Sequence, residues 1–123
     1  MHTGSEQRSY YRADHPINLN IISINDQECY PRFSDEIGLN IGVRGMLIKV
    51  SQGVPLHARI KIQILLPDTL FREMFEAVGE VVWVRRHTED GIKKYCLGVK
   101  FVEIARSHED AIEQFITRLL LPD

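Results

Sequence analysis

Two arginines near the start of the chain and a glycine-containing turn further on are the residues best suited to binding a ligand. Arg8 and Arg12 stand four positions apart in a polar segment. Guanidinium groups make two-point contacts with phosphate, read guanine edges and stack on flat rings. The run Asn40–Gly45 places an amide, which is both donor and acceptor, just before Gly42 and Gly45. These residue types predict a site for a small anionic ligand that contains a base.

The two glycines of this run are expected to act through the backbone. Gly42 and Gly45 permit positive φ, and the missing Cβ lets a flat ligand approach the main chain. Each feature also has an ordinary explanation: solvated charges on a polar tail, and a hairpin corner with Asn40 as turn former. Their combination, followed by the apolar residues 81–84 and by the run Gly98–Phe101, is more specific than either feature alone.

The hydrophobic pattern predicts the structure that must position these residues, a small antiparallel β-barrel of six or so short strands followed by one helix. Residues 58–66 alternate apolar and polar side chains, which is typical of a half-buried strand. Several further short strands separated by turn residues favour a closed sheet, because closure removes exposed edges. Residues 1–12 are expected to form a polar arm that is mobile without ligand, and residues 13–123 a single barrel domain.

The terminal helix is predicted at about residues 107–121. Ser107 and the residues after it resemble a capping box, and Pro122 ends the segment. Five apolar residues form one helical stripe that packs on the barrel: Ile112, Phe115, Ile116, Leu119 and Leu120.

Four finer expectations concern the strands. Ser34–Glu36 is predicted as a loop, and Arg85–Gly91 as a polar connection in which Asp90 and Gly91 signal a hairpin turn. Trp83, in a dense apolar run, is expected in the core rather than on a stacking surface. Gly98 interrupts one face of its strand and is expected to admit a close neighbour.

Charge and cysteine content exclude several classes of function. The chain has 15 Lys and Arg against 17 Asp and Glu, a net charge of -2, which disfavours binding of a nucleic acid polymer. Cys29 and Cys96 lack metal-ligand spacing and read as reduced thiols of a cytoplasmic protein. No apolar run is long enough for direct membrane insertion. The five histidines show no metal-ligand spacing, and no catalytic constellation is present.

With these motifs, the sequence resembles the PilZ domain family, which consists of bacterial receptor modules for cyclic di-GMP. The family pattern is RxxxR, then Asp or Asn, any residue, Ser, two residues and Gly. Arg8 to Arg12 matches the first part, and Asn40 to Gly45 matches the second except that Gly42 replaces the serine. Later residues resembling "GxVxWV" and "GVxF" extend the likeness over residues 8–104. The family fold is a six-stranded antiparallel barrel with a C-terminal helix.

The resemblance implies a role for each residue of the two motifs. Arg8 and Arg12 would clamp guanine and phosphate. Asn40 would recognise a guanine edge, and Gly45 would permit backbone approach. Arg44 would be either an extra cation beside the phosphates or a side chain directed to solvent.

The resemblance also implies the function and its principal alternative. The domain would bind cyclic di-GMP, order its N-terminal arm and signal to a protein effector, in control of motility, adhesion or exopolysaccharide. It would need no cofactor and would not be an enzyme. Gly42 would cost one ligand hydrogen bond, about 0.5–1.5 kcal/mol. The alternative is a degenerate barrel that serves as a nucleotide-independent protein adaptor.

Overall fold

The computed structural model describes residues 16–66 and 74–120, which form six strands and one helix. The elements in chain order are β1 (Ile17–Ile24), β2 (Gln27–Gly42), β3 (Gly45–Val50), β4 (Arg59–Leu65), β5 (Met74–Glu89), β6 (Ile92–Ile104) and α1 (Arg106–Leu120). All neighbouring strands are antiparallel, and they close into a barrel in the order β1-β2-β3-β6-β5-β4. The predicted fold class is confirmed.

The barrel interior is filled by the apolar members of alternating strands. In β4, Ile60, Ile62 and Ile64 are fully buried, whereas Arg59 and Lys61, which alternate with them, are exposed. The other strands contribute inward side chains in the same way, because successive residues of a strand point to opposite faces. Every other side chain is therefore left on the outer surface, where a ligand can reach it.

Strand β2 is longer than predicted, because the expected loop at Ser34–Glu36 is part of the strand. Asp35 adopts a φ of 57°, a left-handed conformation that Asp tolerates better than most residues. Its backbone N–H donates to Oδ1 of Asn20 on β1 at 2.8 Å. A local irregularity, with register shifts in β1 on both sides of Ile21, thus absorbs the polar residues without ending the strand.

The β5–β6 hairpin also extends further than predicted. Asp90 and Gly91, with φ of 51° and 77°, form the expected two-residue turn. The prediction of a polar connection from Arg85 was wrong, because β5 runs on to Glu89 and pairs with β6 throughout. Main-chain pairing thus extends both strands into an exposed two-stranded ribbon despite the polar side chains.

Helix α1 begins at Arg106, one residue before the predicted capping box. The carbonyl of Ala105 accepts hydrogen bonds from the backbone N–H groups of His108 and Glu109, so Ser107 is already inside the helix. The ring of His108 stacks on Phe75 of β5, with centroids 4.6 Å apart. Three members of the predicted stripe are buried, whereas Leu119 is 44% exposed: Ile112, Phe115 and Ile116 make up the buried set.

Candidate functional site

The glycine-containing run forms the β2–β3 hairpin, with Gly42 paired to Gly45 across the two turn residues Val43 and Arg44. The predicted positive φ at these glycines was wrong, since the only glycine with positive φ in residues 16–66 and 74–120 is Gly91. Gly45 is instead required by close approach of β6, because a Cβ there would overlap the carbonyl oxygen of Val99. The corner is therefore tightly packed against β6.

Asn40 is held on the outer face of this hairpin. It lies opposite Leu47, whose backbone N–H donates to Asn40 Oδ1 at 3.2 Å. The side chain is half-buried. Because one acceptor site of the amide oxygen is taken by the strand itself, the Nδ2 donor is the part of Asn40 best suited to bind a ligand.

Strand register places Asn40 at the end of a row that crosses four strands. Asn40 pairs with Leu47, Leu47 with Gly98, and Gly98 with Trp83. Paired residues project to the same side of a sheet. The row therefore joins an amide, an apolar side chain, a glycine and an indole on the outer surface of the barrel.

The indole of Trp83 is the largest group in this row. A Cβ on Gly98 would overlap three atoms of the indole, so the ring occupies the space that a side chain at position 98 would need. This confirms that Gly98 admits a close neighbour. Trp83 is nevertheless 42% exposed, and the prediction that it belongs to the core was wrong. A register shift between Val81 and Trp83 reverses the alternation, so Val81 points inward and Trp83 outward.

A cleft of about 850 Å³ opens over this surface. Its walls include Trp83, Gly98, the turn residue Arg44 and Gly45 at the start of β3. Lys100, which pairs with Gly45, adds a cation, and Glu109 and Glu113 of α1 supply a facing acidic wall. The volume lies in the range of small-molecule sites, and the lining combines an aromatic surface with cationic groups.

Further cations flank the row along β3 and β5. Lys49 and Arg85 both pair with Cys96 on β6. Lys49 forms an ion pair with Glu89, and hydrogen bonds from Lys49 and His87 lower the pKa of that carboxyl group. Arg85 instead stands over Trp83, its guanidinium carbon 5.9 Å from the ring centroid.

The predicted site residues fall into two groups. Arg8 and Arg12, with the predicted arm, lie outside the described residues. The remaining four are brought together at one hairpin: Asn40, Gly42, Arg44 and Gly45. Of these, Arg44 and Gly45 line the cleft directly.

Sequence reasoning missed Trp83, although a signal for it was present. Glu89 faces Ile92 across the predicted turn. Counting six residues away from the turn along each strand places Trp83 opposite Gly98. A glycine opposite a tryptophan in a hairpin leaves room for the ring on the sheet surface. The register of the β5–β6 hairpin therefore indicates that Trp83 lies on the sheet surface, whereas the hydrophobicity of residues 81–84 does not.

Neither a metal site nor a membrane-spanning helix is found among the described residues. Residues 16–66 and 74–120 contain no group of three or more His, Cys, Asp or Glu side chains arranged to hold a metal ion. Over the same residues, no helix has the length and apolar character needed to cross a bilayer.

The barrel, its terminal helix and the outer cleft define a small ligand-binding module. The PilZ domain model matches residues 6–118, and the chain belongs to the PilZ domain family. The family resemblance read from the two motifs is thus confirmed, while the roles of individual residues remain predictions.

Two solved structures share the fold. The Bacillus subtilis inhibitor of motility MotI/DgrA is 19% identical with a TM-score of 0.64, over 87% of this chain and 47% of that one. The Borreliella burgdorferi PlzA protein, solved in complex with c-di-GMP, is 10% identical with a TM-score of 0.51, over 97% of this chain and 48% of that one. The chain thus spans about half the length of either protein. No curated protein matches it.

Proposed function

We propose that this domain is a receptor for cyclic di-GMP that signals to a protein effector and does not chemically change its ligand. One observation carries the proposal: the exposed indole over Gly98 shares one cleft with Arg44 of the β2–β3 turn and with Gly45. A stacking surface beside cations suits a ligand made of flat bases and phosphates. Membership of the PilZ family and the c-di-GMP bound in the PlzA structure support the choice of ligand.

Each part of the ligand has a partner in this proposal. A guanine stacks on Trp83, and Nδ2 of Asn40 donates to a guanine edge. The phosphates face Arg44 and Lys100, which line the cleft. The half-burial of Asn40 favours this assignment, because a fixed amide loses less conformational entropy on binding than a free one.

Arg8 and Arg12 supply the remaining contacts. In the proposal they pair with guanine and phosphate from a segment that becomes ordered when ligand binds. Ordering of this segment makes a new surface, and that surface is what the protein effector recognises. Cys29 and Cys96 are free thiols, which suits the reducing cytoplasm where we place this protein.

Gly42 tunes the affinity. A serine hydroxyl at this position would add one hydrogen bond to the ligand, so glycine weakens binding by roughly tenfold without abolishing it. A domain that had lost the site would act as a nucleotide-independent adaptor. The glycine is the observation that favours this second candidate.

Calorimetric titration with cyclic di-GMP tests the proposal. Wild-type protein should bind saturably, and Arg8→Ala or Arg12→Ala should each remove most of the binding heat, because each deletes charge-assisted contacts to the ligand. Arg59→Ala is the matched control, since Arg59 lies on β4 away from the cleft and pairs with Glu103. Thermal unfolding confirms that each variant is folded.

Two outcomes would contradict the receptor proposal. Silence of the wild-type protein at millimolar ligand would favour the nucleotide-independent adaptor. Unchanged binding by both arginine variants would show that the RxxxR segment does not hold the ligand.

A further inference from the structure

Arg85 occupies a position that no sequence motif assigns to the ligand. It follows Trp83 by two residues on β5, so the two side chains project from the same outer face. Its guanidinium carbon stands over the indole, 5.9 Å from the ring centroid. Trp83 therefore has the Gly98 backbone beneath it and a cation above it.

The Arg85 guanidinium group and the Trp83 ring are further apart than two groups in direct contact. Atoms in direct contact lie about 3.5–4 Å apart. A flat base held between two flat groups separates them by roughly 7–8 Å, which is twice that distance. The observed 5.9 Å lies between the two arrangements. Because Arg85 is exposed, a small movement of its side chain opens the gap to the width of a base.

The charge of Arg85 is also available to an anionic ligand. The nearby Lys49 is paired with Glu89, whereas the described ion pairs give Arg85 no carboxylate partner. A guanidinium group suits this position, because it is planar, permanently charged and stacks on aromatic surfaces. Its planarity distinguishes it from the ammonium group of a lysine.

We infer that Arg85 is a further ligand-positioning residue, which closes over a guanine base stacked on Trp83. The base then lies between the indole and the guanidinium group, and the positive charge of Arg85 faces a neighbouring phosphate of the ligand. This inference rests on the proposed function, since it names a contact within the same site. It adds a third arginine to the two of the RxxxR segment.

Four proteins measured with cyclic di-GMP test the inference: wild type, Arg85→Ala, Arg85→Lys and Arg86→Ala. Arg86 is the matched control, because it is the adjacent arginine, equally exposed, and pairs with Tyr95 on the opposite face of the ribbon. Affinity is taken from calorimetry. Stacking is followed by fluorescence of Trp83, which is the single tryptophan of the chain.

Loss of the planar cation should weaken affinity roughly tenfold in Arg85→Ala. Arg85→Lys should recover only part of this loss, because it restores charge without a plane. Arg86→Ala should stay within about twofold of wild type. Ligand should quench Trp83 emission in wild type, and in Arg85→Ala a higher ligand concentration should be needed for the same quenching.

The possible failures are distinguishable. Equal binding by wild type and Arg85→Ala would overturn the inference and leave the receptor proposal standing. Equal weakening by Arg85→Ala and Arg86→Ala would show a general electrostatic effect and overturn it as well. Absence of binding by wild type would remove both proposals together.

Discussion

The outer surface of this barrel has two regions that differ sharply although they cover the same kind of core. The cleft face, on β3, β6 and the middle of β5, presents glycines and the exposed indole of Trp83. The charged face, on β4, the start of β5 and the end of β6, presents alternating cations and carboxylates instead. Arg59 pairs there with Glu103, and Lys61 lies near Glu76. Inward side chains are buried equally beneath both regions.

The difference separates what the fold needs from what a ligand site needs. Beneath the charged face, Ile60 and Ile62 fill the core with no special demand on their outward neighbours. Beneath the cleft face, Gly98 is needed because the indole takes the place of its side chain. Exposed ion pairs contribute little to stability, whereas the exposed side chains of Val82 and Trp83 form a shared apolar surface in the cleft, and such surfaces mark binding sites. We therefore place the function on the cleft face.

The largest expected difference between the two faces comes from Trp83→Ala. Removing a stacking surface costs about 1–3 kcal/mol per base, so affinity for cyclic di-GMP should fall roughly 5- to 150-fold. Calorimetry measures the loss, and thermal unfolding should show a folded protein because the indole is 42% exposed. Wild-type affinity in this variant would mean that the ligand does not stack in the cleft.

A smaller effect, an increase in ligand affinity, is expected from a substitution at Gly42 on the cleft face. Gly42→Ser restores the hydroxyl of the family pattern at the corner of the cleft face, and affinity should rise by roughly tenfold. Gly53→Ser is the matched control, because its Cβ would make only ordinary contact, 3.5 Å from the ring of Tyr95. A rise in the control, or none in Gly42→Ser, would contradict the assigned role of position 42.

The smallest effect is expected on the charged face. Glu103→Gln removes the partner of Arg59, and both side chains are more than half exposed at 64% and 52%. Stability should change by less than about 1 kcal/mol, because exposed ion pairs gain little in water. Ligand affinity should stay at the wild-type value, as titration can establish. A several-fold loss of affinity would move part of the site onto this face.

Much of the fold followed from residue alternation in the sequence. The period-two run of β4 and the Asp90–Gly91 turn both predicted what the structure has. The errors arose where backbone pairing outweighs side-chain polarity. Ser34–Glu36 and the ribbon after Arg85 are polar, yet each remains in a strand because the neighbouring strand holds it. Glu36 pairs with Leu19 of β1 and the Asp35 amide donates to the Asn20 side chain, while β6 pairs with the ribbon along its length.

The candidate site was half visible in the sequence. Asn40 and Gly45 were predicted from motif spacing. The positive φ predicted for Gly45 was wrong, and the packing of Val99 against this glycine could not be foreseen because it is a contact between distant strands. Trp83 was assigned to the core because hydrophobicity alone cannot reveal a register shift. One bulge in β5 turns the ring outward and thereby converts a core residue into a candidate binding surface.

Amide chemical-shift mapping during titration with cyclic di-GMP tests directly whether the ligand binds in the cleft. Saturable shifts are expected at Asn40, Gly45, Gly98 and the indole N–H of Trp83, with the amides of Lys61 and Glu76 unmoved. Shifts confined to the charged face, or no saturable shift anywhere, would contradict binding in the cleft.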